Sequence, residues 1–281
     1  MTLETRQDAS IKSVDPVWER IRREAEELAE AEPFMATVAH SVVLHHATLE
    51  DALSYRIAQK LSSPEMSPLL TREMAETAYA ESAQMAAAGR ADIVATFERD
   101  PACHRMVQPI LYFKGFLAVQ SYRLAHWLWI TGRRDMALFL QMRCSEVFGV
   151  DIHPGARVGK GIMIDHAHSI VIGETAVVGD DVSMLHSVTL GGTGKEGGDR
   201  HPKIGDGVLI GAGAKVLGNI QVGRCSRIAA GSVVLKDVPE CKTVAGVPAK
   251  IVGEAGCDRP AASMNHLVLA ATEPEDIVPD C

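Results

Sequence analysis

The sequence predicts an α+β chain: an all-helical N-terminal half over residues 1–148, a left-handed parallel β-helix over 149–253, and a flexible C-terminal tail over 254–281. Two periodicities and one interruption lead to it. Up to about residue 148, apolar side chains recur at helical spacing between prolines. From Val150 onward the period is six. Between Leu190 and Ile204 that rhythm is broken by a glycine-rich, charged insert.

In the helical half, Asp15-Pro16 followed by VWERIRREAEELAE reads as an N-cap, a proline at the first helical position and a helix laced with opposed charges. LEDALSYRIAQKL, REMAETAYAESAQMAAAG and FLAVQSYRLAHWLWITG predict further helices, the second closing on Gly89 and the last on Gly132. Their Met, Trp and Leu stripes read as packing surfaces.

In the second half, Ile152, Val158 and Ile164 lie six apart, then Ile172, Val178, Met184 and Leu190 in a shifted phase, then Ile204, Ile210, Val216, Val222, Ile228 and Val234. Glycine follows many of these anchors, and the position four beyond each is mostly small or β-branched, as at Ala156, Ala176, Val182, Ala214, Ser226 and Ser232. Each hexad supplies a short strand and a turn, and three hexads close one triangular coil with the anchors inside. A single coil cannot bury its own face, so such a prism is stable only as a stack. Leu190 and Ile204 are fourteen positions apart, and GGTGKEGGDRHPK between them is too polar to lie in a coil. It should project as a loop, a place to look for function.

With 47% apolar residues the chain has ample material for two cores. Its formal net charge of -8 argues against general binding to nucleic acid or an anionic membrane surface. The first fifteen residues hold no apolar run suited to a signal segment, and no uncharged apolar stretch reaches eighteen, which predicts a cytoplasmic protein. Six cysteines without a C-x-x-C pair predict neither a zinc knuckle nor a disulfide framework.

Asp151, His153 and the pair Asp165-His166 bracket the first coil. A histidine beside a carboxylate suits a general base, because the carboxylate fixes the tautomer and stabilises the imidazolium. An ordinary surface histidine at a coil corner would look the same from spacing alone.

Longer motifs separate the two. DIHPGARVGKGIMIDHAHS, GGTGK and GGDRHPKI within residues 151–223, with AGVPAKIVG at 245–253, closely resemble bacterial serine acetyltransferases, members of the hexapeptide-repeat acyltransferases. ERDPA at 98–102 and LYFKGFLAVQSYRLAHWLW at 111–129 resemble that family's helical domain. The resemblance implies acetyl-CoA as co-substrate, L-serine as acceptor, no metal, and feedback inhibition by L-cysteine at the serine site. It makes His166 the general base and Asp151 its orienting carboxylate. It places serine among Asp100, Asp165, Arg200 and His201, which offer a carboxylate for the ammonium and a planar guanidinium for the carboxylate. Coenzyme A would lie along Gly192, Thr193, Gly194, Ala212, Gly213, Ala230 and Gly231, with Lys215, Lys236 and Lys250 as phosphate partners, although turns of this fold demand such small residues anyway.

By the same resemblance the chain forms a trimer with active sites between neighbouring prisms, and the helical halves join two trimers into a hexamer. Two departures stand out. The family reads DHATG or DHGTG where this chain has DHAHS, and members that bind cysteine synthase end in isoleucine, whereas this chain ends EDIVPDC with Ile277 inside and Cys281 last. The second departure argues against that complex. Three other readings fit the scaffold: an acetyltransferase for sugars, a carbonic anhydrase needing three zinc-bound histidines, and a non-catalytic scaffold.

Overall fold

The structure, a computed structural model, describes residues 15–194 and 197–266. The described part of the first half forms eight α-helices: α1 (Pro16–Ala31), α2 (Pro33–Ala39), α3 (Leu49–Leu61), α4 (Pro68–Glu81), α5 (Ala83–Arg99), α6 (Gln108–Tyr112), α7 (Lys114–Ile130) and α8 (Arg134–Phe148). Helix α1 begins as its residues dictate, with the Asp15 side chain accepting the Trp18 amide and Pro16 in the first turn. Its buried stripe of Trp18, Ile21, Ala25 and Leu28 faces the other helices.

The helix expected to run to Gly89 is instead two. Helix α4 stops at Glu81, and Ser82 caps α5 by accepting the Met85 amide, so Gly89 lies inside α5. Its role is contact and not termination: a Cβ there would sit 3.3 Å from both Leu53 Cδ1 and Gln120 Oε1.

The second half winds a parallel prism. Its strands are β1 (Val150–Ile152), β2 (Arg157–Val158), β3 (Met163–Ile164), β4 (Ile170–Ile172), β5 (Val177–Val178), β6 (Ser183–Met184), β7 (Thr189–Gly191), β8 (Lys203–Ile204), β9 (Leu209–Ile210), β10 (Lys215–Leu217), β11 (Gln221–Val222), β12 (Arg227–Ile228) and β13 (Val233–Val234). An antiparallel pair, β14 (Lys242–Gly246) and β15 (Ala249–Glu254), closes the stack. Face I stacks β1-β4-β7-β10-β13, face II β2-β5-β8-β11, and face III β3-β6-β9-β12-β14 with β15 on its edge. The hexad anchors point inward as the period requires: Leu190, Ile210 and Val216 are fully buried, and Ala156, Val182, Ala214, Ser226 and Ser232 are buried beside them.

A polar seam locks the helices onto the first coil. Asp92, fully buried in α5, accepts from Arg123 of α7 through Nε and Nη2, from Gln120 Nε2 and from the Ile162 amide of the coil. Arg123 Nη2 also donates to Gly159 O at 2.7 Å, and the Tyr122 hydroxyl to Ala156 O at 2.5 Å. At the end of α5, Arg99 donates to Gly161 O and Ser183 Oγ and pairs with Asp181 at 3.0 Å.

The closest backbone approach is at Gly115, where a Cβ would stand 2.0 Å from Ile164 O. Gly115→Ala should therefore push α7 off the coil and cost about 1–3 kcal/mol, read from a denaturant midpoint. An unchanged midpoint would contradict that contact.

Beyond β15, Pro260–Ser263 forms a short helical turn, α9, against the prism. The Ala261 carbonyl accepts Ser183 Oγ at 2.9 Å, and the Ala261 side chain is buried. Ile277 and Cys281 lie outside the described residues.

Candidate active site

Two edges of the prism carry the polar residues. At the edge where face III turns into face I, the extra residues Asp165 to Ser169 bulge out, and His166, Ala167 and Ser169 take left-handed φ values of 57°, 47° and 56°. Non-glycine residues pay for that conformation and persist where the surroundings impose it. The bulge turns His166 outward, its side chain 70% exposed, with Nε2 3.5 Å from Asp165 Oδ2. Ser169 stands in that backbone well where the family motif has a glycine.

Below His166 opens a cavity of about 520 Å³ lined by Thr96, Asp100, Lys114, Phe116, Asp165 and His166 itself. Asp100 reaches it because it ends α5, which Arg99 and Asp92 clamp to the coil. One coil further on, His186 occupies the register position of His166, their ring centroids 5.7 Å apart. Ala212-Gly213 and Ala230-Gly231 continue the same edge, tied by Gly213 N–H to His186 O and Gly231 N–H to Ala212 O. Lys215 starts the next strand of that edge and donates from Nζ to Ser187 O.

The other expected residues gather at the edge between faces I and II. Arg200 and His201 return from the projecting loop, and Arg200 Nη2 pairs with Glu174 Oε2 at 2.7 Å. That pair holds the Glu174 carboxyl below the usual range. Asp151 sits at the middle of β1 on face I: its Oδ1 accepts Gln141 Nε2 at 2.6 Å, and its charge acts on His153. Within one chain the structure therefore brings Asp100, Asp165 and His166 together, and separately Arg200 and His201, while among the described residues Asp151 on β1 shares no hydrogen bond or ion pair with either group. Among the described residues, Asp151 and His166 share no hydrogen bond.

The expected coenzyme residues divide as well. Gly192, Thr193 and Gly194 open the loop at the second edge, Lys236 is exposed after β13, and Lys250 is exposed on β15. Sequence reasoning did not single out Lys114, Glu174 or Thr175. None carries a periodic signal, and Thr175, twenty-six positions before His201, meets it only because the loop folds back.

His153 and His201 both titrate below the ordinary imidazole value of 6.5, chiefly because burial penalises the cation. The unfolded chain then binds more protons than the folded one below about pH 6.5, so stability should fall as pH drops through that window. Thermal midpoints measured from about pH 7.5 down to about pH 5.5 should decline, and a rise would contradict the burial of these rings.

Among the described residues, no three His, Cys, Asp or Glu side chains are grouped to hold a metal ion, and no helix is long and apolar enough to cross a membrane. Residues 17–121 match the family model described as "Serine acetyltransferase, N-terminal", and 201–236 match "Bacterial transferase hexapeptide (six repeats)". The serine acetyltransferase of Escherichia coli (strain K12) is 55% identical over 257 residues, covering 92% of this chain and 94% of its own. The crystal structure of serine acetyltransferase in complex with coenzyme A from Brucella abortus strain S19 superposes with a TM-score of 0.86 at 54% identity, covering 89% of this chain and 100% of that one. A serine acetyltransferase in complex with cysteine gives a TM-score of 0.88 at 52% identity, covering 90% of this chain and 98% of that one. With identity of this order along nearly the whole of both chains, and with the helical half and the hexapeptide prism both matched, the chain belongs to the serine acetyltransferase family.

Proposed function

We propose that this chain transfers the acetyl group of acetyl-CoA to the hydroxyl of L-serine, giving O-acetyl-L-serine and CoA, as the first step of cysteine biosynthesis in the cytoplasm. The observation that carries it is the exposed His166 placed beside Asp165 and Asp100 at one cavity. The serine ammonium fits the two carboxylates. His166 then takes the hydroxyl proton as the serine oxygen attacks the thioester carbonyl carbon. Collapse of the tetrahedral intermediate breaks the carbon–sulfur bond, and the departing CoA sulfur receives the proton from the imidazolium. Transfer is direct, with no acyl-enzyme.

The serine carboxylate needs a cation, and the guanidinium suited to it lies on the other edge with His201. A neighbouring copy of the chain supplies that edge, so the helical half and prism assemble as trimers, two of which join through the helical halves. In that arrangement Asp151 of one copy orients His166 of the next. CoA follows the column from His186 through Ala212-Gly213 to Ala230-Gly231, which leads away from His166. The loop residues Gly192, Thr193 and Gly194 reach the same groove from the neighbour. Cysteine differs from serine only in its thiol and binds the same place, which gives feedback inhibition.

The test is thiol release from acetyl-CoA with L-serine or with sugar acceptors, repeated with added L-cysteine. Serine-dependent release, blocked by cysteine in competition with serine, is expected. Turnover of a sugar without turnover of serine would overturn the assignment.

A further inference from the structure

Thr175 makes a set of hydrogen bonds that fixes the chemical form of His201. Its backbone N–H, which can only donate, points at His201 Nδ1 at 3.2 Å. Nδ1 must then be unprotonated, and the neutral ring carries its proton on Nε2. The Thr175 hydroxyl lies 2.8 Å from the same nitrogen and also hydrogen-bonds the Asp199 carboxylate. Its oxygen lone pairs accept the Arg200 and His201 amides at 3.0 and 3.2 Å. With both oxygen lone pairs taken by the two amides, the hydroxyl has no acceptor site left for an Nδ1–H, which again leaves Nδ1 unprotonated.

The neighbouring residues finish the work. Glu174 holds the Arg200 guanidinium at 2.7 Å. Gly173 makes room, since a Cβ there would lie 2.0 Å from His201 Nε2. Protonating His201 would set an Nδ1–H against the Thr175 amide, which agrees with a ring that stays neutral.

We propose that Thr175 is a positioning residue for the acceptor site: it locks His201 as the Nε2–H tautomer and pins the Arg200-His201 backbone, so that this edge presents a ready pair of donors to an amino-acid carboxylate. The inference rests on the placement of the serine carboxylate at Arg200 and His201. Such preorganisation lowers the ordering cost of binding.

The experiment compares Thr175→Val, which keeps shape and deletes the hydroxyl, with Thr175→Ser, which keeps the hydroxyl. Loss of this bond, with two amides left unpaired, should raise the serine KM and the cysteine inhibition constant together by about tenfold or more, with the acetyl-CoA KM within about twofold. Thr175→Ser should restore both to within about threefold of the starting values. Nitrogen-15 NMR of the histidine rings, assigned with His201→Asn, should show Nε2–H with an acceptor Nδ1 in the unaltered protein and a mixture of tautomers in Thr175→Val. An Nδ1–H tautomer in the unaltered protein, an unchanged serine KM in Thr175→Val, or a Thr175→Ser protein as impaired as Thr175→Val would overturn the proposal. The carboxylate placement is judged separately: if Arg200→Ala leaves the serine KM unchanged, that placement fails whatever the tautomer of His201.

Discussion

Replacing His166 by alanine is expected to lower kcat by about 10²- to 10⁴-fold while the thermal midpoint stays where it is. The reason for the first half is chemical. Without a base, the serine hydroxyl must lose its proton to water during attack, and His166 is the imidazole among the described residues that line this cavity. The reason for the second half is structural: the His166 side chain is 70% exposed and packs into no core, and its backbone strain is set by the bulge, not by the ring. Stopped assays of acetyl-CoA consumption alongside a melting curve would separate the two. Turnover within a few fold of the unaltered enzyme would remove His166 from the mechanism, and a collapsed melting curve would show that the residue serves the fold.

The second large effect is on folding. Asp92→Ala should destabilise the protein by about 3–5 kcal/mol, because it strands the Arg123 guanidinium in a nearly water-free seam. Arg123 keeps Gly159 O as an acceptor but loses both oxygens of Asp92, and Gln120 Nε2 and the Ile162 amide lose theirs as well. Replacing both charges, as in Asp92→Leu with Arg123→Met, should cost less than Asp92→Ala alone, since no charge is then left unpaired. Urea unfolding of the single and double variants reads this out. A loss below about 1 kcal/mol for Asp92→Ala would mean that the seam does not hold the helices to the coil. Because α5 carries Asp100 to the cavity, the same variant should also weaken serine binding.

The prism was readable because its physics is periodic: every sixth side chain must face inward, so Ile172 to Leu190 and Ile204 to Val234 announce themselves. The helical half was readable where capping is local, as at Asp15-Pro16, and misread at Gly89, where a glycine that looks like a helix end is a contact point for Leu53 and Gln120. The identities of His166, Asp165 and Arg200 came through motifs. Their division between two edges did not, because it depends on coil phase. The two extra residues after Ile164 and the longer insert after Leu190 decide which turns share an edge, and neither insertion reports its direction in the sequence. Thr175 shows the same limit, since its partner lies across the insert.

In the proposed assembly neither edge of one chain is a complete site, and a neighbour's edge closes it. Co-expression of His166→Ala chains with Arg200→Ala chains tests it most directly, with each variant inactive alone. If each site takes one edge from each of two copies, random mixing should give roughly a quarter of the sites both intact edges, and serine-dependent CoA release should return to about that fraction. A mixture as inactive as its two components would contradict the account.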